Sequence, residues 1–306
     1  MTNVWYTFKR SLPSNDKKGV YIVNMIQCLQ DRIKLSDEKN MPAFGLGCYK
    51  AMDAEVEKAV RSALESGYTM IDTATRYENE YSVGKAIKES GIDREKLFVV
   101  TKIWPTFYNK PEKAIEYSLK QLNIDYIDMY LLHWPGVDET ARYRTWEAIQ
   151  KYMQKELIQN AGVSNFKIHH LKGMYQAFGK MPAVNQIELH PWYPQQEITS
   201  FCKENDIAVE GWGPIFRGHI KEVPLMAELA EKYGKSPVQV TLRWHIQKGF
   251  IVIPKSSNPE RIKQNADVFD FELTTEDMKK IDQLSCGKHF GNDSDTYTGE
   301  DFQFTI

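Results

Sequence analysis

Short runs of apolar and β-branched residues alternate along this chain, from Ala43 onward, with longer stretches in which apolar residues recur at helical spacing. This alternation is typical of βα units around a parallel sheet. The eight predicted strands are Phe44–Gly47, Thr69–Thr73, Leu97–Ile103, Ile127–His133, Gln159–Ser164, Ala183–Leu189, Ala208–Trp212 and Ile251–Pro254. The eight predicted helices lie near residues 54–66, 79–90, 111–122, 141–156, 168–178, 195–205, 236–248 and 259–267. Eight units without a ninth strand predict an α/β fold that closes into a (β/α)8 TIM barrel rather than an open doubly wound sheet.

Several segments fall outside this repeat. The runs Ile33–Leu35 and Met41–Ala43, on either side of a polar turn, predict an N-terminal hairpin that plugs the floor of the barrel. Two extra helices are predicted at Val223–Tyr233 and Thr274–Leu284.

The first 24 residues differ from the rest of the chain. They are polar, are interrupted by Pro13 and Gly19, and show no amphipathic period. We therefore expect residues 1–24 to be a poorly ordered appendage and residues 25–306 to form a single catalytic barrel domain.

Composition and charge exclude several classes of function. The chain has 306 residues, of which 42% are hydrophobic and 26% charged, as in globular proteins with a large core. A formal net charge of −2 gives no electrostatic footprint for nucleic acid or an anionic membrane. No apolar run reaches the roughly 18 residues of a membrane span, and no two cysteines form a C-x-x-C pair. We expect a cytoplasmic monomer that acts on a small molecule.

Four ionisable residues lie at or just after the ends of predicted strands. Asp72, Lys102 and His133 end three successive strands, and Tyr77 follows the first of them by five residues. The carboxyl ends of barrel strands meet on one face, so we expect these side chains to converge. They suit reduction of a carbonyl group, with Tyr77 as proton donor and His133 as a neutral hydrogen-bond donor to the substrate oxygen. Lys102, held in its charged form by Asp72, is expected to lower the pKa of Tyr77, and hydride transfer requires a cofactor.

Sequence motifs around these residues follow one another in a characteristic order and spacing. They are Gly67–Ala74 with Tyr77 and Asn79-Glu80, Thr101–Trp104, Leu132–Pro135, Gly162–Phe166, Val184–Glu188 and Ile253–Ser256. This series resembles the signatures of the aldo-keto reductases across residues 43–290. The resemblance implies NADPH-dependent reduction of aldehydes or reactive ketones, with Asp72, Tyr77, Lys102 and His133 as the catalytic tetrad. Similar members of the family include reductases of glyoxal and methylglyoxal, of keto-sugar acids and of prostaglandin precursors.

A cofactor site is expected after the eighth strand rather than after the first, where no G-x-G-x-x-G motif occurs. Lys255, Ser256 and Arg261 surround the predicted helix start at Asn258, where fixed charge and free backbone N–H groups can bind phosphate. The resemblance implies that these three residues bind the 2′-phosphate of NADP(H). It also implies that Gln264 and Asn265 contact the adenine. The residues that contact the nicotinamide are then Ser164, Asn165, Gln186 and Trp212.

Aromatic residues are expected around the substrate. By the resemblance, Tyr49, Trp104 and Trp134 line the pocket, and aromatic walls of this kind suit a small carbonyl compound. The tail from Gly287 to Ile306 is short and polar, so we expect it to add no apolar wall and to disfavour bulky ligands such as steroids.

Two other functions stay open at this point. A barrel of this family can act as a regulatory subunit that binds nucleotide with little turnover, because a fold does not determine a function. The intact set of four residues favours the enzyme. A metal-dependent barrel hydrolase is disfavoured, since no pair of histidines shows ligand spacing such as H-E-x-x-H, and we expect no metal site.

Overall fold

The computed structural model of the protein describes residues 26–36, 38–302, 304 and 306. The predicted appendage at residues 1–24 lies outside these residues. Among the helices described, none is long and apolar enough to cross a membrane.

Eight parallel strands form the central sheet, as predicted. In the described part of the chain they follow two hairpin strands, β1 (Arg32–Lys34) and β2 (Asn40–Pro42). The sheet strands are β3 (Leu46–Gly47), β4 (Met70–Asp72), β5 (Phe98–Ile103), β6 (Ile127–Leu132), β7 (Ile158–Ser164), β8 (Val184–Glu188), β9 (Ala208–Trp212) and β10 (Ile251–Val252). Neighbours in the chain are neighbours in the sheet, and the backbone amide of Gly45 donates to the carbonyl of Val252 at 2.9 Å. The amide of Val252 donates in turn to Ala43 at 3.1 Å, so the sheet closes into a (β/α)8 barrel.

The helices surround this barrel. They are α1 (Asp53–Glu65), α2 (Glu80–Glu89), α3 (Pro111–Leu122), α4 (Glu139–Gln154), α5 (Ile168–Phe178), α6 (Gln196–Glu204), α7 (Pro224–Tyr233), α8 (Pro237–Gln247), α9 (Pro259–Ala266) and α10 (Thr275–Asp282). In α1, for example, Val56, Val60 and Ala63 are fully buried, which is the helical spacing of one face against the sheet. The two helices outside the repeat are α7 and α10, close to their predicted positions.

The hairpin covers the floor of the barrel, as predicted. β1 and β2 are antiparallel, with Ile33 opposite Met41. Met41 is fully buried in a cluster with Met70 and Phe98, which are the first residues of β4 and β5. The amino ends of the strands are thereby shielded from water, and the site lies at their carboxyl ends.

The connections at the carboxyl ends contain short 3-10 turns that the sequence pattern did not predict. One of them, Thr75–Tyr77, follows β4 and carries the predicted proton donor. The Thr75 hydroxyl donates to the backbone carbonyl of Lys102 at 3.0 Å. The turn is therefore tied to the end of β5, so that Tyr77 is positioned relative to Lys102.

Candidate active site

A buried ion pair forms the base of the site. Lys102 Nζ donates to both carboxylate oxygens of Asp72, at 2.7 and 2.8 Å, and to the backbone carbonyl of Thr73 at 2.8 Å. These contacts use all three N–H donors of the ammonium group. Burial raises the pKa of Asp72, and the hydrogen bonds from Lys102 and Gln186 oppose that rise. The pair is thus satisfied internally and shielded from solvent.

Tyr77 and His133 lie together above this pair. Lys102 Nζ is 5.1 Å from the centre of the Tyr77 ring, and the Tyr77 and His133 ring centres are 5.6 Å apart. His133 also meets Trp104 edge to face at 4.9 Å. The four residues expected to converge, including Asp72, do so at the mouth of the barrel.

The pKa of Tyr77 moves in the opposite direction to the one expected from Lys102. Burial, followed by the charge of Asp72, raises this pKa well above the ordinary value. The expectation that Lys102 lowers the pKa of Tyr77 is therefore wrong. The physical reason is that burial of the phenol disfavours its charged form, and the negative charge of Asp72, which the three donors of Lys102 partly face, opposes the effect of the cation at Tyr77.

His133 is held as a neutral imidazole. Burial lowers its pKa well below the ordinary value, and the positive charges of Lys102 and Arg76 lower it further. Its Nδ1 has no hydrogen-bond partner among the described residues. A neutral ring beside Tyr77 agrees with the expected role of a hydrogen-bond donor to the substrate.

The residues expected to bind nicotinamide form one polar cluster at the ends of β7, β8 and β9. Asn165 adopts a left-handed backbone conformation with φ of 62°, which asparagine tolerates better than most residues. Its side-chain amide donates to the carbonyl of His133 at 2.9 Å and to Ser164 Oγ at 3.1 Å, and its oxygen accepts from Trp212 Nε1 at 2.8 Å. The Asn165 backbone amide donates to the carbonyl of Gln186 at 2.8 Å. These hydroxyl and amide groups suit a carboxamide ligand.

The residues expected to bind phosphate form a second group, beyond β10. The side chain of Asn258 caps α9 by accepting from the backbone amide of Arg261 at 3.0 Å. Lys255 Nζ donates to Ser257 Oγ at 2.8 Å, and Ser256 is mostly buried beside the helix start. Cations at a helix N-terminus fit a phosphate group.

The two remaining cofactor positions lie on α9 itself. Gln264 is exposed, whereas Asn265 is buried. The residues expected to bind the nicotinamide therefore lie at the ends of β7, β8 and β9, and those expected to bind the phosphate and the adenine lie after β10 and on α9.

The predicted substrate wall is only partly open, because the C-terminal tail covers it. Tyr49 is exposed and its ring lies 5.1 Å from that of Tyr77. Tyr297 of the tail packs on Trp104 and Trp134, with ring centres 5.8 and 4.8 Å away. The expectation that the tail adds no apolar wall is therefore wrong.

Further tail contacts complete this cover. Trp104 Nε1 donates to the carbonyl of Gly299 at 2.8 Å, and the Phe302 ring lies 6.0 Å from that of Trp104. The acidic residues make the tail polar on average, and its four aromatic residues, Phe290, Tyr297, Phe302 and Phe304, follow no regular spacing that would predict a wall. A cavity of about 130 Å³ remains beside Trp134, Asn165 and Trp212.

Two buried glutamates were assigned no role from the sequence, although one of them, Glu188, ends a motif named above. Glu188, at the end of β8, accepts hydrogen bonds from the backbone amides of Phe290 and Gly291, both at 2.8 Å, and so anchors the start of the tail. Glu210, in β9, accepts from Gln186 Nε2 at 2.8 Å. Both lie in predicted strands, so the rule that drew attention to Asp72, an ionisable residue in a buried strand, applied to them as well.

Comparisons with known proteins agree with this geometry. The model of the aldo/keto reductase family matches residues 43–285. Methylglyoxal reductase DkgA of Escherichia coli (strain K12) is 42% identical over 269 residues, which cover 87% of this chain and 98% of that protein. Glyoxal reductase of Bacillus subtilis (strain 168) is 43% identical over 271 residues, covering 87% and 97%. A mutant of Gox0644 solved in complex with NADPH has a TM-score of 0.84 at 36% identity and covers 88% of this chain and 98% of that one.

Proposed function

This chain belongs to the aldo/keto reductase family, and from that premise we propose that it reduces small aldehydes or reactive ketones with NADPH, using Tyr77 as the proton donor. One observation carries the proposal. The buried Asp72–Lys102 ion pair lies directly beneath Tyr77, with the neutral ring of His133 at its side. A regulatory subunit with little turnover has no need of this arrangement.

Each of the four residues has a separate role in the protonation of the carbonyl oxygen. Bound NADPH supplies the hydride. As negative charge develops on the oxygen, His133 donates a hydrogen bond to it and Tyr77 transfers its phenolic proton. The raised pKa of Tyr77 keeps that proton in place until a strong base, the nascent alkoxide, forms beside it. Proton transfer leaves a phenolate on Tyr77 near the ammonium group of Lys102, which Asp72 keeps charged and directed.

The donor groups of the site fit NADP(H). Ser164, Asn165 and Gln186 present hydroxyl and amide groups for the nicotinamide carboxamide, and Trp212 lies beside them for the ring. At the other end, Arg261 is exposed at the start of α9 and is available for a 2′-phosphate together with Lys255. The NADPH complex of the Gox0644 mutant supports this choice of cofactor.

The substrate is small on this proposal. The tail covers Trp104 and Trp134, which limits the depth of the pocket. Relatives named methylglyoxal reductase and glyoxal reductase support a short dicarbonyl or aldehyde. A monomeric state and a cytoplasmic location stay predictions.

Replacement of the proton donor tests the proposal. Tyr77→Phe should lower kcat for methylglyoxal by at least about 10²-fold, because it removes general acid catalysis. NADPH affinity, measured by fluorescence titration, should stay near that of the wild type. Tyr49→Phe is the matched control, since its ring lies 5.1 Å from Tyr77 in the same wall and it transfers no proton.

Two results would count against the proposal. A Tyr77→Phe variant with more than half of the wild-type kcat would exclude Tyr77 as the proton donor. A wild-type protein that binds NADPH but oxidises none of it in the presence of aldehydes would favour the regulatory subunit.

A further inference from the structure

Glu210 lies inside the barrel and is fully buried. In the parallel pairing of β8 and β9 it stands opposite Gln186, so the two side chains point into the barrel from adjacent strands. Its Oε2 accepts from Gln186 Nε2 at 2.8 Å, whereas its Oε1 has no partner among the described residues. A buried carboxyl oxygen without a hydrogen-bond partner lowers the stability of the fold, so its presence suggests a functional role.

Gln186 links Glu210 to the catalytic ion pair. The same Nε2 that donates to Glu210 also donates to Asp72 Oδ2 at 2.9 Å. Both N–H groups of the amide are thereby committed to carboxyl groups. The amide oxygen receives no hydrogen bond from the described residues, so it is the end of Gln186 left for the nicotinamide carboxamide. Glu210 and Asp72 together determine which way this amide faces.

The charge of Glu210 also reaches Tyr77. Burial, and after it the negative charge of Asp72, raises the pKa of Glu210 to about 8, although Gln186 and Lys102 oppose the rise. Glu210 is therefore mostly protonated, and neutral, at pH 7. Burial and then the charge of Asp72 raise the pKa of Tyr77 most, and the charge of ionised Glu210 adds a smaller contribution in the same direction. The titratable groups that face it are Asp72 from β4, Lys102 from β5 and Tyr77 from the turn after β4.

We propose that Glu210 is a positioning residue of this site, which holds the amide of Gln186 toward the nicotinamide and modulates proton donation by Tyr77 through its own charge. The inference rests on the proposed reductase function. It predicts two separable effects, one on cofactor binding through the hydrogen bond and one on the pH profile through the charge.

The pH profile isolates the charge. As pH rises through the pKa of Glu210, the new negative charge makes Tyr77 a weaker acid, so kcat/KM for methylglyoxal reduction should fall on the alkaline side. Burial raises the pKa of Tyr77 itself well above its ordinary value, and the comparison of Glu210→Gln with the wild type tests whether the limb belongs to Glu210. Glu210→Gln keeps a neutral oxygen acceptor of the same shape. It should match the wild type within about twofold at pH 7 and shift the alkaline limb upward by about one pH unit or more.

Cofactor affinity isolates the hydrogen bond. Glu210→Met fills the same space without an acceptor, so the Gln186 amide is no longer held on both sides. The Kd for NADPH should rise by about fivefold to tenfold, whereas Glu210→Gln should leave it nearly unchanged. Asp128→Asn is the control for removing a buried carboxylate, because Asp128 lies near the amino end of β6 and its pKa is also raised by burial. It should alter neither the alkaline limb nor the NADPH affinity.

The outcomes separate this inference from the proposed function. If the wild type reduces methylglyoxal but Glu210→Gln gives the same alkaline limb, and Glu210→Met binds NADPH as tightly as the wild type, Glu210 only fills space and the inference is wrong. If the wild type itself shows no NADPH oxidation with carbonyl compounds, the reductase proposal fails first.

Discussion

The base of the active site and the C-terminal tail above it differ in the solvent exposure of their ion pairs. At the base, Asp72 and Lys102 pair with side chains that are 2% and 0% exposed. In the tail, Asp293 and Asp295 pair with Lys167, whose side chain is 42% exposed. Breaking a buried pair leaves a charge that water cannot reach, whereas exposed pairs are screened by solvent and salt. Solvent therefore weakens the ion pairs of the tail more than the pair at the base, and the tail is held mainly by other contacts.

Those other contacts are backbone hydrogen bonds and aromatic packing. Glu188 accepts from the amides at the start of the tail, and Tyr297 packs on the two tryptophans of the pocket. The histidines His169 and His170 also lie beside Asp295, at 2.9 and 3.3 Å from one carboxylate oxygen. The backbone amide of Lys167 donates to His170 Nδ1, so the neutral ring carries its proton on Nε2, toward Asp295. That proton favours a hydrogen bond over a metal ligand.

The largest effect is expected from breaking the buried pair. Lys102→Met leaves Asp72 without its cation and should lower the free energy of unfolding by about 3–5 kcal/mol at pH 7, measured with guanidinium chloride. The double variant Lys102→Met with Asp72→Leu removes both charges. It should recover most of the lost stability while staying inactive, and equal stabilities of the single and double variants would contradict the comparison.

The second effect concerns the tail anchor. Glu188→Leu removes the acceptor of the Phe290 and Gly291 amides. Because buried donors are then left without a partner, the free energy of unfolding should fall by about 1–3 kcal/mol. Hydrogen exchange at those two amides should accelerate by about tenfold or more. Glu188→Gln keeps one acceptor oxygen, so its exchange rates at these amides should lie between those of the wild type and of Glu188→Leu. Unchanged protection in Glu188→Leu would mean that the anchor lies elsewhere.

The third effect concerns the aromatic cover. Tyr297→Ala exposes Trp104 and Trp134, each such ring contact contributing about 0.5–1.5 kcal/mol. Tryptophan fluorescence should shift to longer wavelength, and kcat/KM for a bulky apolar ketone should rise relative to that for methylglyoxal. Tyr297→Phe retains the ring and loses only the hydrogen bonds of the hydroxyl group with Asp301 and Asn292, so it should behave nearly as the wild type. A fall in the bulky ketone's relative kcat/KM would show that the ring binds substrate instead of covering the pocket.

The smallest effect is expected from the exposed ion pairs. Lys167→Ala removes the cation shared by Asp293 and Asp295 and should change the free energy of unfolding by less than about 1 kcal/mol. High salt should have a similarly small effect on the wild type, because it screens the same pairs. Faster exchange at Phe290 and Gly291, as large as in Glu188→Leu, would show that these pairs hold the tail after all.

Much of the fold and of the catalytic centre could be predicted from local pattern. Helix starts are marked locally, because Pro237 and Pro259 occupy the first helical position of α8 and α9, where proline is favoured, and Asn258 caps α9. Asp72, Lys102 and His133 were found because an ionisable residue at the end of an apolar run is conspicuous. The direction of the pKa shift of Tyr77 could not be predicted, since it depends on the burial of the phenol and on the nearby charge of Asp72, which only the closed barrel sets.

The sequence by itself determined the eight βα units, their closure and the face on which the site lies, because alternation and strand ends are local features of the chain. Only the tertiary structure decided that Gln186 bridges Asp72 and Glu210. Gln186 and Asp72 are 114 positions apart in the chain. The tertiary structure likewise decided the contacts of Glu188 and Tyr297, which bring the tail over the pocket. These contacts exist only once the barrel has closed, because no local spacing specifies which inward-facing side chains meet across its interior.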